Sequence, residues 1–312
     1  MKNDPILAAL AGLEPELGGS EAGRKELRKA LAAKSNLVVA KAARIVGEAL
    51  CTELAADLTG AFHRFLPRGA DADKGCGALT AIARALVTLD VDDPELFRRG
   101  IKHVQMEPVW GGSEDTAAEL RAVCAMGLAN SRDPRKLRDL VELLADTKSR
   151  ARAGAVRALA AAGSDGASLV LRYKALLGDE DPEVVSDCVS GLLAMDGAEA
   201  MPLVKSLARS KDQDLREATI LALGASRRAD AIGFLCEYFE STADRDTKRS
   251  ILLALASART ESAIGFLLNL IRDGSPASAD LAAKAMSIHQ ADATLQPALE
   301  AALAGRSDKL GK

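Results

Sequence analysis

Aromatic side chains are nearly missing from this 312-residue chain: one Trp, two Tyr and six Phe make up 3% of it, against 48% hydrophobic residues in all. A strand-built core, which draws on aromatic and β-branched side chains, is therefore disfavoured, and the interior must consist of Ala, Leu, Val and Ile. Histidine is scarcer still. His63, His103 and His289 lie far apart and none is followed by Glu, whereas a metal site needs three or four convergent ligands, so neither a metal nor a metal cofactor is expected. The five cysteines (Cys51, Cys76, Cys124, Cys188 and Cys236) are odd in number, widely spaced and free of any C-x-x-C pair. They read as reduced core residues. No run approaches the roughly 18 apolar residues of a membrane span, and Met1-Lys2-Asn3-Asp4-Pro5 lacks a basic stretch leading into an apolar one, which makes a cytoplasmic protein the expectation. An excess of positive charge is also lacking. Forty-one basic residues face 44 acidic ones, the net charge is −3, and neither half is basic, which disfavours nonspecific nucleic-acid binding. No nucleophile elbow and no Ser–His or Cys–His pairing stands out, so no catalytic residue is expected.

What the chain does have is a repeat. Ala231-Ile232-Gly233-Phe234-Leu235 returns as Ala263-Ile264-Gly265-Phe266-Leu267, and Leu221-Ala222-Leu223 returns as Leu253-Ala254-Leu255. A small anchor residue recurs at Ala125, Ala158, Gly191, Ala222, Ala254 and Ala285, and upstream at Ala85 and Ile45 with longer spacing. Between the anchors, apolar residues three or four apart predict partner helices at Leu137–Leu144, Leu169–Leu177, Leu203–Leu207, Ile232–Phe239 and Ile264–Ile271. Asp93-Pro94, Asp133-Pro134, Asp181-Pro182 and Ser275-Pro276 read as helix starts, and Gly163, Gly178 and Gly197 as stops. Each repeat is thus a helix pair that cannot bury its apolar face alone and must stack on its neighbours. The expectation is one all-α, right-handed solenoid of about eight pairs: atypical N-terminal repeats over 1–115, regular repeats over 116–305 and a polar tail over 306–312.

Asp181-Pro-Glu-Val-Val, Arg152-Ala-Gly-Ala-Val-Arg-Ala-Leu and Leu215-Arg-Glu-Ala-Thr-Ile-Leu-Ala-Leu-Gly resemble HEAT repeats, in particular the short bacterial repeats of the phycobilisome-lyase-like type. The resemblance implies a protein-binding scaffold whose second helices line a concave surface; it is specific for fold and not for activity. Enzymes or enzyme subunits of the bilin-lyase-like or DNA-glycosylase-like kind are the alternative. The first shares only the general repeat pattern with this chain and lacks a ligand-specific motif here. The second rests on a basic groove with aromatics, against the balanced charge seen here. The di-iron hydroxylases of similar repeats need His-Glu pairs, and none is present.

Two features stand above this background. The residue before the anchor is Arg44, Arg84 and Arg157 in three of the first four repeats, and four before it stand Lys41 and Arg121. One helical turn separates these positions, so Lys41, Arg44, Arg84, Arg121 and Arg157 are predicted to form a ladder of cations on the second helices, suited to carboxylates or phosphates. The ordinary reading is that they pair with acids such as Glu48, Glu119 and Asp187. The other feature is the insertion Met106–Ser113, whose Trp110 is either a protein-binding anchor or a lid folded over a widened junction. The expected partner is a protein carrying an acidic segment. Asp71-Ala72-Asp73-Lys74-Gly75 resembles the start of a calcium loop, but its twelfth position is Ile82 where a bidentate Glu is required.

Overall fold

A computed structural model describes residues 11–289 and 292–310; Met1-Lys2-Asn3-Asp4-Pro5 and the last two residues of the expected tail lie outside it. Among the described residues, seventeen α-helices follow one another. They are α1 (Glu21–Leu31), α2 (Asn36–Glu48), α3 (Ala55–Phe65), α4 (Gly77–Thr88), α5 (Pro94–Ile101), α6 (Ala118–Asn130), α7 (Lys136–Leu143), α8 (Ser149–Ala162), α9 (Asp165–Leu177), α10 (Pro182–Met195), α11 (Met201–Leu207), α12 (Gln213–Ala225), α13 (Ala229–Ser241), α14 (Arg245–Ala258), α15 (Glu261–Asp273), α16 (Pro276–Met286) and α17 (Gln296–Leu310). The fold class is an all-α solenoid of helix pairs. The chain divides into two compact units, one ending at Ala167 and the other beginning at Ser168.

In the N-terminal unit the even-numbered helices α2, α4, α6 and α8 stack in sequence, with α1, α3, α5 and α7 packed against them as an outer layer. The C-terminal unit repeats the scheme with α10, α12, α14 and α16 inside and α11, α13 and α15 outside, closed by α17 against α15. Every anchor lies on an inner helix and is buried. The recurring pentapeptide opens α13 and α15, where Ala231, Ile232, Leu235 and their counterparts Ala263, Ile264, Leu267 pack inward.

The reason for small residues is visible at the helix contacts. A Cβ on Gly47 would sit 3.2 Å from the Ala85 Cα, one on Gly154 would sit 2.4 Å from the Ala122 Cα, and one on Gly224 would sit 2.4 Å from the Ala254 carbonyl oxygen. Successive inner helices therefore touch almost backbone to backbone, and a large side chain at the anchor would force them apart. Ala222→Leu and Ala254→Leu are each expected to cost about 1–3 kcal/mol in urea melts. Two variants that unfold with the parent would show that the repeat alignment is wrong.

Helix ends follow local rules with one correction. Asp93, Asp181 and Ser275 cap α5, α10 and α16 as expected, each accepting a backbone N–H from the first turn. Gly163 and Gly178 follow the ends of α8 and α9 at φ +62 and +78. Asp133, however, does not start α7, which begins at Lys136. Its carboxylate is drawn instead to Arg98, whose Nη2 donates at 2.5 Å, and it accepts the Arg135 N–H at 2.8 Å. At the C-terminus, residues 306–310 belong to α17 and do not form a tail.

Candidate interaction surface on the N-terminal unit

Between α5 and α6 the chain departs from helices. Met106–Val109 (β1) and Gly112–Asp115 (β2) pair as an antiparallel hairpin, where the sequence suggested only a loop. Trp110 and Gly111 make its two-residue connection, Gly111 at φ +89, the third turn position where a positive angle favours glycine. Trp110 stands 104% exposed at the tip, so it caps no junction.

The base of the hairpin is fixed by buried polar groups. Gln105 donates its backbone N–H to Asp115 Oδ1 (3.1 Å) and its side-chain amide to Glu107 Oε1 (2.7 Å) and the Asp73 carbonyl (2.8 Å). Glu107 also accepts from Gly75 N (2.6 Å) and Thr116 Oγ1 (2.8 Å); these hydrogen bonds, led by that of Gln105, outweigh burial and hold its carboxyl below the usual range. Asp73 is no calcium ligand. Its carboxylate caps α4 by accepting from Ala78 N and Leu79 N, both at 2.9 Å. Among the described residues no group of three His, Cys, Asp or Glu is placed to hold a metal ion.

Arg121 belongs to this anchoring network and not to a solvent-facing ladder. It is 2% exposed, grips both oxygens of Asp146 (2.7 and 2.9 Å), pairs with Asp115 (2.7 Å) and donates to the His103 carbonyl (2.9 Å). The reason is a rotation of α6. A Cβ on Gly100 would lie 2.2 Å from Cys124 Sγ, and one on Gly127 would lie 2.5 Å from the Phe97 ring, so α5 presses into α6 at two glycine slots. This buries Cys124, which stands where Arg84 stands on α4, and moves the outward face of α6 by one residue to Glu119, Val123 and Met126.

The other expected cations stay on the accessible face of the inner row. Arg44 and Arg84 are exposed, and Lys41 and Arg157 half-buried. Arg84 and Arg157 line one cleft of about 320 Å³ with Val87, Thr88, Glu119, Ala122, Val123 and Met126. Arg150 on α8, which lies outside the predicted ladder, joins them: Glu119 accepts hydrogen bonds from both Arg84 and Arg150. Burial opposes ionisation of Glu119, yet the bonds from Arg150 and Arg84 prevail and hold its carboxyl below the usual range. The ordinary pairing expectation is thus met for Arg84, although Glu119 engages only its Nη2 and the Arg84 side chain remains 58% exposed.

Taken along α2, α4, α6 and α8, this face presents Lys41, Arg44, Arg84, Arg150 and Arg157 against Glu48 and Glu119. The corresponding face of the C-terminal unit is acidic, with Arg245, Arg249 and Lys284 against Glu183, Asp187, Asp214, Glu217, Asp246 and Asp280, and it exposes Leu221 and Leu253. Cys51, Cys76, Cys124 and Cys188 are buried free thiols and Cys236 is half-buried; burial, followed by the nearby Asp73 carboxylate, pushes Cys76 up to about 12. No helix among the described residues is long and apolar enough to cross a membrane.

No functionally curated protein matches the chain. Among solved structures it is similar to the CpcE–CpcF complex of phycocyanin lyase from Nostoc sp. PCC7120, at 14% identity over 73% of this chain and 88% of that one with a TM-score of 0.35. An engineered protein is 18% identical over 100% and 97%, with a TM-score of 0.36. Human deoxyhypusine hydroxylase in complex with glycerol is 16% identical over 97% and 98%, with a TM-score of 0.26. The family model for HEAT repeats matches residues 169–256, within the C-terminal unit. The match identifies HEAT repeats within the C-terminal unit, and the N-terminal unit stacks helix pairs in the same two-layer manner at longer spacing.

Proposed function

We propose that this protein is a non-catalytic interaction module whose N-terminal unit receives an acidic segment of a partner protein on the accessible face of its inner helices. The observation that carries the reading is the charge of that face: five cations against two carboxylates in a chain whose net charge is −3. Guanidinium groups on successive helices suit carboxylates spaced along a chain, because each fork offers several donors in one plane. Such a surface steers an acidic partner and fixes its orientation more than it adds raw affinity. Trp110, held in solvent at the tip of an anchored hairpin, supplies the apolar grip that charge does not.

With a partner captured from the native host and then purified, Trp110→Ala is expected to weaken binding more than tenfold, about 1.4 kcal/mol, in a calorimetric titration. Because the side chain contacts solvent only, the melting curve should stay within about 0.5 kcal/mol of the parent. Unchanged affinity would remove Trp110 from the interface.

A further inference from the structure

We infer that the segment bound by the N-terminal unit is an extended polyproline II segment carrying one apolar residue between two carboxylates three positions away on either side. The inference rests on the acidic-partner reading and sharpens it.

Three observations lead to it. First, the cleft is not uniformly basic: Arg84 on α4 and Arg157 on α8 lie two inner helices apart, and the helix between them offers Val123 and Met126, backed by Val87. A ligand lying across the row therefore meets charge, then an apolar floor, then charge. Second, the accessible positions of α6 here are Glu119, Val123 and Met126, and Arg121 is buried, so this middle rung presents no cation of its own. Third, the cleft is an open depression of about 320 Å³, which receives an apolar side chain from a segment lying across the row. Neighbouring helices lie about 8–10 Å apart, which a polyproline II segment spans in about three residues at about 3.1 Å each, keeping every third side chain on one edge. The pattern is acid, two residues, apolar, two residues, acid. Glu119 on the same rung disfavours a third acid at the centre by like-charge repulsion.

The test is a fluorescence anisotropy titration of the full chain with labelled ten-residue peptides, Gly/Ser-based, with Glu at positions 2 and 8 and Leu at position 5. The matched peptide is expected to bind, replacement of its Leu by Glu to weaken binding at least tenfold, and replacement of both Glu by Gln to abolish it. On the protein side, Val123→Glu should lose the matched peptide, whereas Val123→Leu should keep it; circular dichroism of both reports whether they are folded. Equal binding of the matched and all-acid peptides would overturn the motif and leave the acidic-partner reading standing. Binding of no peptide, with a captured partner still sensitive to Arg84 and Arg157, would do the same. Tighter, salt-sensitive binding of a duplex DNA oligonucleotide than of the matched peptide would overturn both.

Discussion

Arg121→Ala should destabilise the protein by about 3–5 kcal/mol, because it leaves the buried Asp115 and the half-buried Asp146 with no cation to offset their desolvation. The hairpin should loosen with it. Asp115 Oδ1 accepts from the backbone of Gln105 and Ala117 on either side of the two strands, and its Oδ2 is held by Arg121. In the parent, burial raises the Asp115 pKa but the Arg121 hydrogen bond and the backbone donors bring it below the ordinary value of 3.8. A depressed folded pKa contributes stability above the unfolded value and loses it as pH falls through the folded one. In the variant burial prevails, the carboxyl is raised, and protonation relieves it. The deficit measured in urea at pH 7 should therefore shrink toward pH 4. Arg121→Met, which keeps the aliphatic stem, separates charge from volume: it should remain nearly as unstable as the Ala variant. A Met variant with parental stability would show that packing, not the ion network, holds the base of the hairpin.

Reversing charge on the binding face should do the opposite, sparing the fold and removing the partner. Arg84→Glu and Arg157→Glu are each expected to weaken binding more than tenfold and together about a hundredfold, about 2.8 kcal/mol, since each turns attraction for a carboxylate into repulsion. Arg84 is exposed, so its reversal costs mainly the surface pair with Glu119, which is worth under about 1 kcal/mol. The loss should fall chiefly on the association rate and should diminish at high salt, because steering of exposed charges is screened. The paired control is Arg245→Glu with Arg249→Glu on the C-terminal unit, whose face carries more acids than bases. That control should bind as the parent does.

The repeat, its eight pairs and the anchor row were legible because a period is a property of the sequence. Alanine or glycine every 31–33 residues has no explanation but close helix approach. The hairpin was not legible. Its strands are four residues each, too short for alternation to register, and Pro108 and Gly111-Gly112 read as loop signals. Of the ladder, Arg44, Arg84 and Arg157 sit on the accessible face as their spacing says, while Arg121 turned inward. Spacing along one helix assumes that successive helices present the same face, and α6 does not, because Gly100 and Gly127 admit Cys124 and Phe97 and rotate it by one residue. The missed residues Glu119, Val123 and Met126 carried their own signal. They are spaced by four and three, the outward stripe of a helix whose register is shifted relative to its neighbours.

In the proposed complex the partner lies across the inner helices of the N-terminal unit. Amide hydrogen exchange of the native chain, with and without the captured partner, tests it most directly. Added protection is expected in residues 80–88, 119–126 and 150–157 and in the hairpin at 106–115, with 213–285 unchanged. Protection confined to 213–285, with the N-terminal inner helices exchanging as they do alone, would contradict it.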